Sequence, residues 1–395
     1  MNYPADPVEL LKQLISIPSV NPMGRDVDGE EYLEKRMTEY LAGWFDAHHI
    51  PFRQMEIAPR RSNVVGLLSC SPDAPTIMLD AHQDTVPVEG MTIDPFLPTI
   101  ESGKIYGRGA CDVKGGMAAI LSAVARLASQ KSPLPINVVI SCCCDEERGQ
   151  TGIKHLIQSW QEPGPTPRPL FVTKPTMAVI AEPTGLDVVV AHRGATRWRI
   201  VTRGVSAHSS DPSRGESAIY KMAPILSALQ KYATQLQTER AGHRLCGKPT
   251  LSVGLINGGT SVNVVPDQCW IEIDRRTLPG ENAAEVMQDV ESFLRERVAV
   301  DFEMLPPTTI SMPLSDVGNE QLAEQLGAAV EKVTGRRAFI GVPFGTHAST
   351  ITAANVPAVV FGPGSIEQAH TKDEWLDIEQ LEQASECFYQ FLRSF

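Results

Sequence analysis

The stretch Met78-Leu-Asp-Ala-His-Gln-Asp-Thr-Val-Pro87 decides how the rest of the sequence is interpreted. It begins as an apolar run and ends in a histidine and an aspartate. In a strand, His82 and Asp84 would lie on one face, because alternate side chains share a face. A histidine binds a metal well when its other ring nitrogen is held, often by a carboxylate. The stretch therefore predicts either a metal-binding histidine or a solvated histidine beside a turn.

The composition is that of an ordinary globular protein with more than one domain. A chain of 395 residues exceeds the usual size of one compact core, so we expect two domains. Hydrophobic residues make up 42% and charged residues 21% of the chain. The formal net charge of −12 argues against a nucleic acid or an anionic membrane as a partner.

The sequence also bears on cellular location. The first residues, Met1-Asn-Tyr-Pro-Ala-Asp-Pro, lack the charged and apolar regions of a signal peptide, and no apolar run approaches membrane-spanning length. Three of the eight cysteines, Cys142, Cys143 and Cys144, are consecutive within a predicted strand, where neighbours face opposite ways. We therefore expect buried thiols rather than a zinc cluster or disulfide framework, and a cytoplasmic location.

The first half of the chain alternates predicted helices with predicted strands. Apolar spacing predicts helices over residues 7–17, 30–48 and 117–128, and strands over residues 63–68, 76–79, 136–144 and 177–181. This alternation predicts an α/β layered sheet, in which functional sites gather at strand ends. Three of the strands lead into His82, Asp145-Glu146-Glu147 and Glu182.

The pattern changes after about residue 194. Residues 196–202, 217–236, 250–256, 269–275, 283–298 and 300–304 read β-α-β-β-α-β, the order of a ferredoxin-like sandwich. Pro306-Pro307 then resembles a linker, and helices over 319–334 and 378–391 with a strand over 358–361 resume the first pattern. We therefore predict a ferredoxin-like α+β domain at residues 194–306, inserted into an α/β domain formed by residues 1–193 and 307–395.

Two imidazoles and three carboxylates follow apolar strands or turns: His82, Asp112, Glu147, Glu182 and His370. A nitrogen and oxygen set without thiolates suits zinc, with cobalt or manganese as substitutes. Five ligands suit two metals about 3.5–4 Å apart if one carboxylate bridges them. Glu146 would remain as a general base. The alternative for Asp145-Glu146-Glu147 is a solvated acidic turn, but the strongly apolar strand before it favours a site.

Five motifs in order resemble the co-catalytic zinc metallohydrolase family that includes acetylornithine deacetylase, succinyl-diaminopimelate desuccinylase, aminoacylase and glutamate carboxypeptidase. They are His82-Gln-Asp84-Thr-Val-Pro87, Gly107-Arg-Gly-Ala-Cys-Asp112-Val-Lys-Gly-Gly116, Asp145-Glu-Glu147, Ala181-Glu-Pro-Thr184 and Ala369-His370-Thr371. The resemblance implies a zinc-peptidase-like mixed sheet with helices on both faces. It also implies that His82, Glu182 and His370 are terminal ligands, that Asp112 bridges, that Glu147 completes the second metal site, that Glu146 is the base and that Asp84 orients His82.

The predicted inserted domain resembles the family's lid and dimerisation domain, which implies a homodimer. Gly204-Val-Ser-Ala-His208 resembles the segment whose histidine stabilises the oxyanion. Asn263 and Arg276 match positions that hold a substrate carboxylate, for which arginine offers a planar donor fork. Arg275, its strand neighbour, must face the other way, and we expect it to be an exposed charge. Gly345-Thr346 resembles a loop whose backbone amides approach the substrate.

Two positions depart from the family pattern. His347 follows Gly345-Thr346 where the family usually has Asp or Ser-Asp, and Glu216 stands where Asn is common. His347 is either a group near the site that titrates near neutrality or contacts an acidic substrate, or a structural residue of the loop. Neither position touches an expected ligand, so the departures affect substrate contacts and not hydrolysis.

The sequence therefore predicts a metal-dependent amidohydrolase that removes the N-acyl group from a small N-acyl amino acid. A glutamate at position 182 resembles the deacylase branches of the family. The alternatives are a metallo-dipeptidase or carboxypeptidase of the same family, and a non-catalytic metal-binding scaffold. A metal-free Ser-His-Asp hydrolase is disfavoured because no Gly-x-Ser-x-Gly motif is present.

Overall fold

The computed structural model describes residues 2–130, 136–161 and 169–395. Their contacts cluster into two compact units. The first unit comprises Met1–Val190, Val317–Ile340 and Thr346–Phe395, and the second comprises Ala191–Asp316 and Gly341–Gly345. The predicted return to the first domain at residue 307 differs from this division, because Thr309–Ser311 still pairs with a strand of the second unit.

The helices are α1 (Pro7–Ile15), α2 (Lys35–Ala47), α3 (Lys114–Ala128), α4 (Thr151–Gln161), α5 (Ala218–Thr238), α6 (Ala283–Arg297), α7 (Glu320–Thr334), α8 (His347–Ala353) and α9 (Ile378–Leu392). Helix α2 begins later than its predicted start at residue 30. Leu33 has a left-handed backbone with φ 69°, which a right-handed helix cannot include, so the helix begins after it.

The strands are β1 (Phe52–Ala58), β2 (Arg61–Leu68), β3 (Thr76–His82), β4 (Thr99–Glu101), β5 (Lys104–Tyr106), β6 (Asn137–Cys143), β7 (Met177–Ile180), β8 (Val188–His192), β9 (Gly194–Arg203), β10 (Thr250–Gly258), β11 (Gln268–Thr277), β12 (Glu303–Met304), β13 (Thr309–Ser311), β14 (Phe339–Val342), β15 (Ala358–Val360) and β16 (Trp375–Asp377).

A mixed eight-stranded sheet forms the centre of the first unit, in the order β1-β2-β6-β3-β7-β15-β8-β14. Strand β3 runs parallel to both β6 and β7, so the carboxyl ends of these three strands meet at one edge of the sheet. Every residue of β3 and β6 is buried. Complete burial means that both faces are covered, as expected for parallel strands of an α/β sheet. The mixed α/β class is confirmed, and His82 is the last residue of β3.

The second unit follows the predicted order β9, α5, β10, β11, α6 and β12. Its sheet has the order β10-β11-β9-β12, with β13 also pairing to β9. Apolar side chains of the sheet and the two helices form one core that includes Trp198, Met222, Ile271, Ile273 and Leu294. Strand β10 lies at the edge of this sheet.

The cysteines are free thiols, and Cys142, Cys143 and Cys144 are all buried, as the sequence predicts. Among the described residues, no helix combines the length and the apolar character that crossing a lipid bilayer requires.

Candidate active site

Asp84 organises the site through both its backbone and its side chain. The His82 ring lies with Nδ1 2.8 Å from the backbone oxygen of Asp84, while the Asp84 carboxylate lies 3.8 Å from this nitrogen. The carboxylate instead accepts hydrogen bonds from the backbone N–H groups of Glu146 at 3.0 Å and Glu147 at 3.2 Å. Asn21 Nδ2 donates to it as well, at 2.8 Å. Asp84 therefore orients His82 by its carbonyl and positions the two glutamates by its carboxylate.

Asp112 lies between the two histidines. Its Oδ1 is 3.0 Å from Nε2 of His82, and its Oδ2 is 3.2 Å from Nε2 of His370. The same His370 nitrogen is 3.3 Å from Oε2 of Glu147. Ligand atoms of His82, Asp112 and Glu147 all lie within 4.8 Å of one another. Four of the five predicted ligands are thus brought together around one carboxylate.

Glu182, the fifth predicted ligand, follows β7 at the same edge of the sheet and is buried. Burial raises its pKa well above the ordinary value, and the negative charge of Asp112 adds to the effect. Because Asp112 influences this carboxyl, Glu182 lies within electrostatic range of the cluster.

The cluster has the properties of a divalent metal site. It offers imidazole nitrogens and carboxylate oxygens, the donor types that zinc, manganese and cobalt bind. The Glu147 side chain is only 6% exposed, and its Oε1 has no hydrogen-bond partner among the described residues. A buried carboxylate oxygen without a partner is costly unless a cation or donor satisfies it. The residues therefore fit a metal.

Charge within the cluster shifts the protonation of its members. Burial opposes the charged form of His82, but its hydrogen bond to Asp112 and the charge of that carboxylate hold the pKa well above the ordinary value. Hydrogen bonds to Asp112 and Glu147 raise the pKa of His370 to about 10. Burial acts to raise the pKa of Asp112, but the hydrogen bonds to His370 and His82 outweigh it and hold that pKa low. In the absence of a metal, the imidazoles therefore hold protons.

The two neighbouring glutamates are affected in the opposite direction. Burial, reinforced by the charge of Asp112, raises the pKa of Glu147 to about 8. Burial also raises the pKa of Glu146, which the nearby imidazoles of His347 and His82 partly offset. A carboxylate with a raised pKa is suited to accept and return a proton near neutral pH.

Glu374 holds the loop that carries Asp112, and sequence reasoning missed it. Its Oε1 accepts from the backbone N–H groups of Cys111 at 2.8 Å and Asp112 at 2.9 Å. Its Oε2 accepts from the N–H of Gly109 at 3.0 Å and from Arg108 Nη1 at 2.7 Å. The only signal in the sequence is an acidic residue shortly after His370, which is too weak to identify this role.

His208 and Asn263, both predicted to contact substrate, lie on paired segments of the second unit. The N–H of Ser209 donates to the carbonyl of Asn263 at 3.0 Å, and the N–H of Val265 donates to the carbonyl of Ala207 at 2.8 Å. Both predicted side chains are exposed. The structure therefore brings these two predicted residues together within their unit.

The prediction that Arg275 is exposed is wrong. Its side chain is on the core face of β11 with Ile271 and Ile273, is 1% exposed, and pairs with Glu281 at 2.8 Å. Arg276 lies on the opposite face, half-buried, with Nε 2.8 Å from Asp274. The alternation of faces was predicted correctly, but the arginine on the core face is neutralised by a partner six residues further along the chain.

Residues 345–347 lie at the start of α8. Gly345 belongs to the second unit and Thr346 to the first, where its side chain caps α8 by accepting from the N–H of Ala348 at 3.1 Å. His347 is buried, with Nδ1 2.7 Å from Oδ2 of Asp80. This ion pair gives His347 a structural role at the start of α8, and its imidazole is also near enough to Glu146 to influence that carboxyl.

The sequence matches a known protein family and its relatives over most of its length. The model of peptidase family M20/M25/M40 matches residues 78–394. An acetylornithine deacetylase of Pectobacterium carotovorum subsp. carotovorum (strain PC1) is 31% identical, covering 100% of this chain and 99% of the relative.

Solved structures show the same fold. An M20 family metallo-carboxypeptidase of Sulfolobus solfataricus superimposes with a TM-score of 0.76 at 18% identity, covering 100% of this chain and 99% of that chain. A dinuclear metal binding peptidase of the M20 family from Bacillus subtilis gives a TM-score of 0.66 at 18% identity, covering 98% and 96%. The chain belongs to peptidase family M20/M25/M40 and is a hydrolase of amide bonds.

Proposed function

We propose that this chain hydrolyses the amide bond of an N-acyl amino acid and releases the acyl group as a carboxylate. The observation that carries the proposal is the position of Asp112 between His82 and His370, with Glu147 beside them and Glu146 next in the chain. The acetylornithine deacetylases that this chain resembles over its whole length support an N-acyl amino acid as the substrate class.

The proposal includes two divalent metal ions, zinc in the first instance, with cobalt or manganese as substitutes. His82, Asp112 and Glu182 would hold one ion, and Asp112, Glu147 and His370 the other. When bound, such a pair polarises a carbonyl and makes water more acidic. The two oxygens of Asp112, each facing a different histidine, support its role as the shared ligand.

Three further predicted residues, Glu146, Asp84 and His208, have a role in the chemical step of the proposed reaction. Glu146 takes a proton from the attacking water and delivers it to the departing nitrogen. Asp84 holds the loop that presents Glu146. His208 donates a hydrogen bond to the oxyanion, which forms only during the reaction, so the contact favours the transition state.

Substrate binding is assigned to four residues: Asn263, Arg276, Gly345 and Thr346. Arg276 would hold the substrate carboxylate, for which its planar guanidinium is suited. The ion pair with Asp274, two residues earlier on β11, fixes the orientation of the guanidinium relative to that strand. Asn263 and the backbone at Gly345 and Thr346 would add hydrogen bonds to the rest of the substrate.

A substrate panel tests the proposal. The protein loaded with zinc, cobalt or manganese is assayed with N-acetylornithine, other N-acetyl amino acids, N-succinyl-diaminopimelate and dipeptides. We expect the highest kcat/KM for an N-acyl amino acid. Hydrolysis restricted to dipeptides would replace the proposal with its first alternative, a metallo-dipeptidase or carboxypeptidase, which the fold of the solved M20 metallo-carboxypeptidase favours. Metal binding without hydrolysis of any panel member would identify the second alternative, a non-catalytic metal-binding scaffold.

We also propose that the chain forms a homodimer through its second unit. Leu255 and Ile256 of the edge strand β10 are 56% and 57% exposed. A groove of about 370 Å³ between β10 and α5 is lined by Leu226, Leu229 and Ala233 among others. An exposed apolar edge strand is a site for pairing with a second chain. Light scattering after size exclusion should give twice the mass of one chain, and Leu255→Lys should reduce the measured mass to that of a single chain.

We further propose a cytoplasmic location. The free thiols, of which Cys70 is exposed, suit a reducing compartment. Fractionation of cells that produce the native protein tests this, and recovery from an oxidising compartment would contradict it.

A further inference from the structure

The side chains of Gln150 and Thr350 connect Glu146 to helix α8. Gln150 Nε2 donates to Oε1 of Glu146 at 3.1 Å, and Thr350 Oγ1 of α8 donates to Oε1 of Gln150 at 2.9 Å. A carboxylate can only accept, so the amide group of Gln150 must face Glu146 and its carbonyl must face Thr350. The three groups therefore form a chain of hydrogen bonds with one direction.

Helix α8 is itself fixed to the strand that carries His82. His347, the first residue of α8, bonds through Nδ1 to Oδ2 of Asp80, and both side chains are fully buried. Asp80 lies in β3, two residues before His82, between β6 and β7. The helix also packs against α4 and β7. Thr350 therefore lies on a helix that is bonded to the strand carrying His82.

Glu146 needs such support because its backbone alone does not fix its carboxylate. Its N–H is held by Asp84, but its side chain extends beyond that bond. Among the described residues, Gln150 is the group that bonds the Glu146 carboxylate, and it leaves Oε2 without a hydrogen bond. One oxygen is thus held and the other is available to accept a proton.

We propose that Gln150 is a positioning residue for the general base, and that Thr350 fixes the amide of Gln150 for this purpose. The inference rests on the proposed function, in which Glu146 takes the proton from water. A base must be held within hydrogen-bond reach of the proton that it removes, and displacement by about 1 Å can cost 10²-fold in rate. Gln150 would act on kcat rather than on substrate binding.

The loop does not depend on the Gln150 side chain for its shape. The backbone N–H of Gln150 donates to the carbonyl of Asp145, and this bond is independent of the side chain. Gln150→Met keeps the length of the side chain and removes its amide. Thr350→Val keeps the shape of threonine and removes its hydroxyl, whereas Thr350→Ser retains the hydroxyl.

The test is steady-state kinetics of the metal-loaded enzyme on the best N-acyl amino acid of the substrate panel. For Gln150→Met we expect kcat to fall about tenfold, a part of the 10²–10⁴-fold that general base catalysis supplies, with KM changed less than about twofold. Thr350→Val should lower kcat by a smaller factor of about three, and Thr350→Ser should restore it. The double variant should match Gln150→Met alone, because Thr350 acts only through Gln150.

Gln383→Met is the matched control. Gln383 Nε2 donates to Oε1 of Glu379 at 3.2 Å on the exposed surface of α9, so the variant removes the same type of hydrogen bond far from Glu146 in the chain. Its kcat should equal that of the wild type. Metal content and melting temperature are measured for every variant.

Three results would overturn the inference: an unchanged kcat in Gln150→Met, a rise in KM without a fall in kcat, or a loss of bound metal that accounts for the lost activity. A full additional effect of Thr350→Val in the Gln150→Met background would overturn the role of Thr350. Near wild-type turnover in Glu146→Gln would refute the base assignment itself. An inactive Glu146→Gln with an unaffected Gln150→Met would refute the positioning role alone.

Discussion

The backbone N–H of Asp112 donates to the carboxylate of Glu374 at 2.9 Å, across 262 positions of the chain. Glu374 is fully buried, and it accepts four hydrogen bonds from the loop of residues 108–112. Asp112, whose carboxylate faces both His82 and His370, is therefore held in place by the carboxylate of Glu374, which instead bonds the loop that carries Asp112.

Replacing Glu374 with glutamine should weaken metal binding. The amide has one accepting oxygen instead of two and carries no charge to form an ion pair with Arg108, so the loop loses part of its support. We expect metal affinity to fall about 10–100-fold, as for other residues that support metal ligands. Because the buried Arg108 also loses its partner, the free energy of unfolding should fall by about 3–5 kcal/mol. Chelator competition and denaturant unfolding measure the two effects. Glu382→Gln, on the exposed surface of α9, is the control and should change neither.

Glu146→Gln should abolish hydrolysis while two metal ions remain bound. The amide cannot take a proton from water, and Glu146 is not among the proposed ligands. We expect kcat to fall by about 10²–10⁴-fold. Metal analysis by mass spectrometry is run beside the assay. Glu147→Gln provides the contrast, because it should lose metal as well as activity. Turnover near that of the wild type in Glu146→Gln would show that another group is the base.

His208→Ala should lower kcat much more than it lowers metal content. The removal of one oxyanion donor costs about 10²–10³-fold in kcat in other hydrolases. His49→Asn is a suitable control, since His49 is exposed and its left-handed backbone, with φ 56°, accommodates asparagine. A loss of metal in His208→Ala, in proportion to the lost activity, would instead mark His208 as a ligand or a folding residue.

Metal affinity should rise with pH between about 6 and 9. Without metal, hydrogen bonds to Asp112 and Glu147 raise the pKa of His370 to about 10, and burial raises that of Glu147 to about 8, so the pair holds at least one proton at neutral pH. Ligands bind metal in their deprotonated form, so binding displaces these protons and becomes more favourable as the pH rises towards these values. Calorimetry in buffers of different ionisation enthalpy should detect about one or more protons released per chain at pH 7. Affinity that is constant over this range, with no proton release, would contradict the assigned ligand protonation.

The sequence was sufficient to predict the strand ends that carry the cluster. β3 ends in His82, while β6 and β7 are followed by Glu147 and Glu182, and parallel strands place such residues at one edge. The orienting role of Asp84 for His82 was predicted, but the remaining support was not, because the carboxylates of Glu374 and Asp84 bond backbone groups distant in the chain. Such bonds leave no periodic pattern.

Charge alone was a poor guide to burial in the second unit. The alternation of Cys269, Ile271 and Ile273 places Arg275 on the core face of β11, yet its charge predicted exposure. The decisive fact is the ion pair with Glu281, which requires the turn after β11 to be known.

The start of helix α2, in the first unit, was decided by the left-handed backbone of Leu33, which no residue pattern indicates.

The second unit consists of two separate segments, Ala191–Asp316 and Gly341–Gly345. A chimera that exchanges this unit between family members must therefore replace both segments together. A deletion that joins Val190 to Val317 would leave the five residues of the shorter segment without their unit. Because Gly345, one of the proposed substrate contacts, is among them, domain exchange that moves only the long segment would combine the proposed substrate contacts of two different parents.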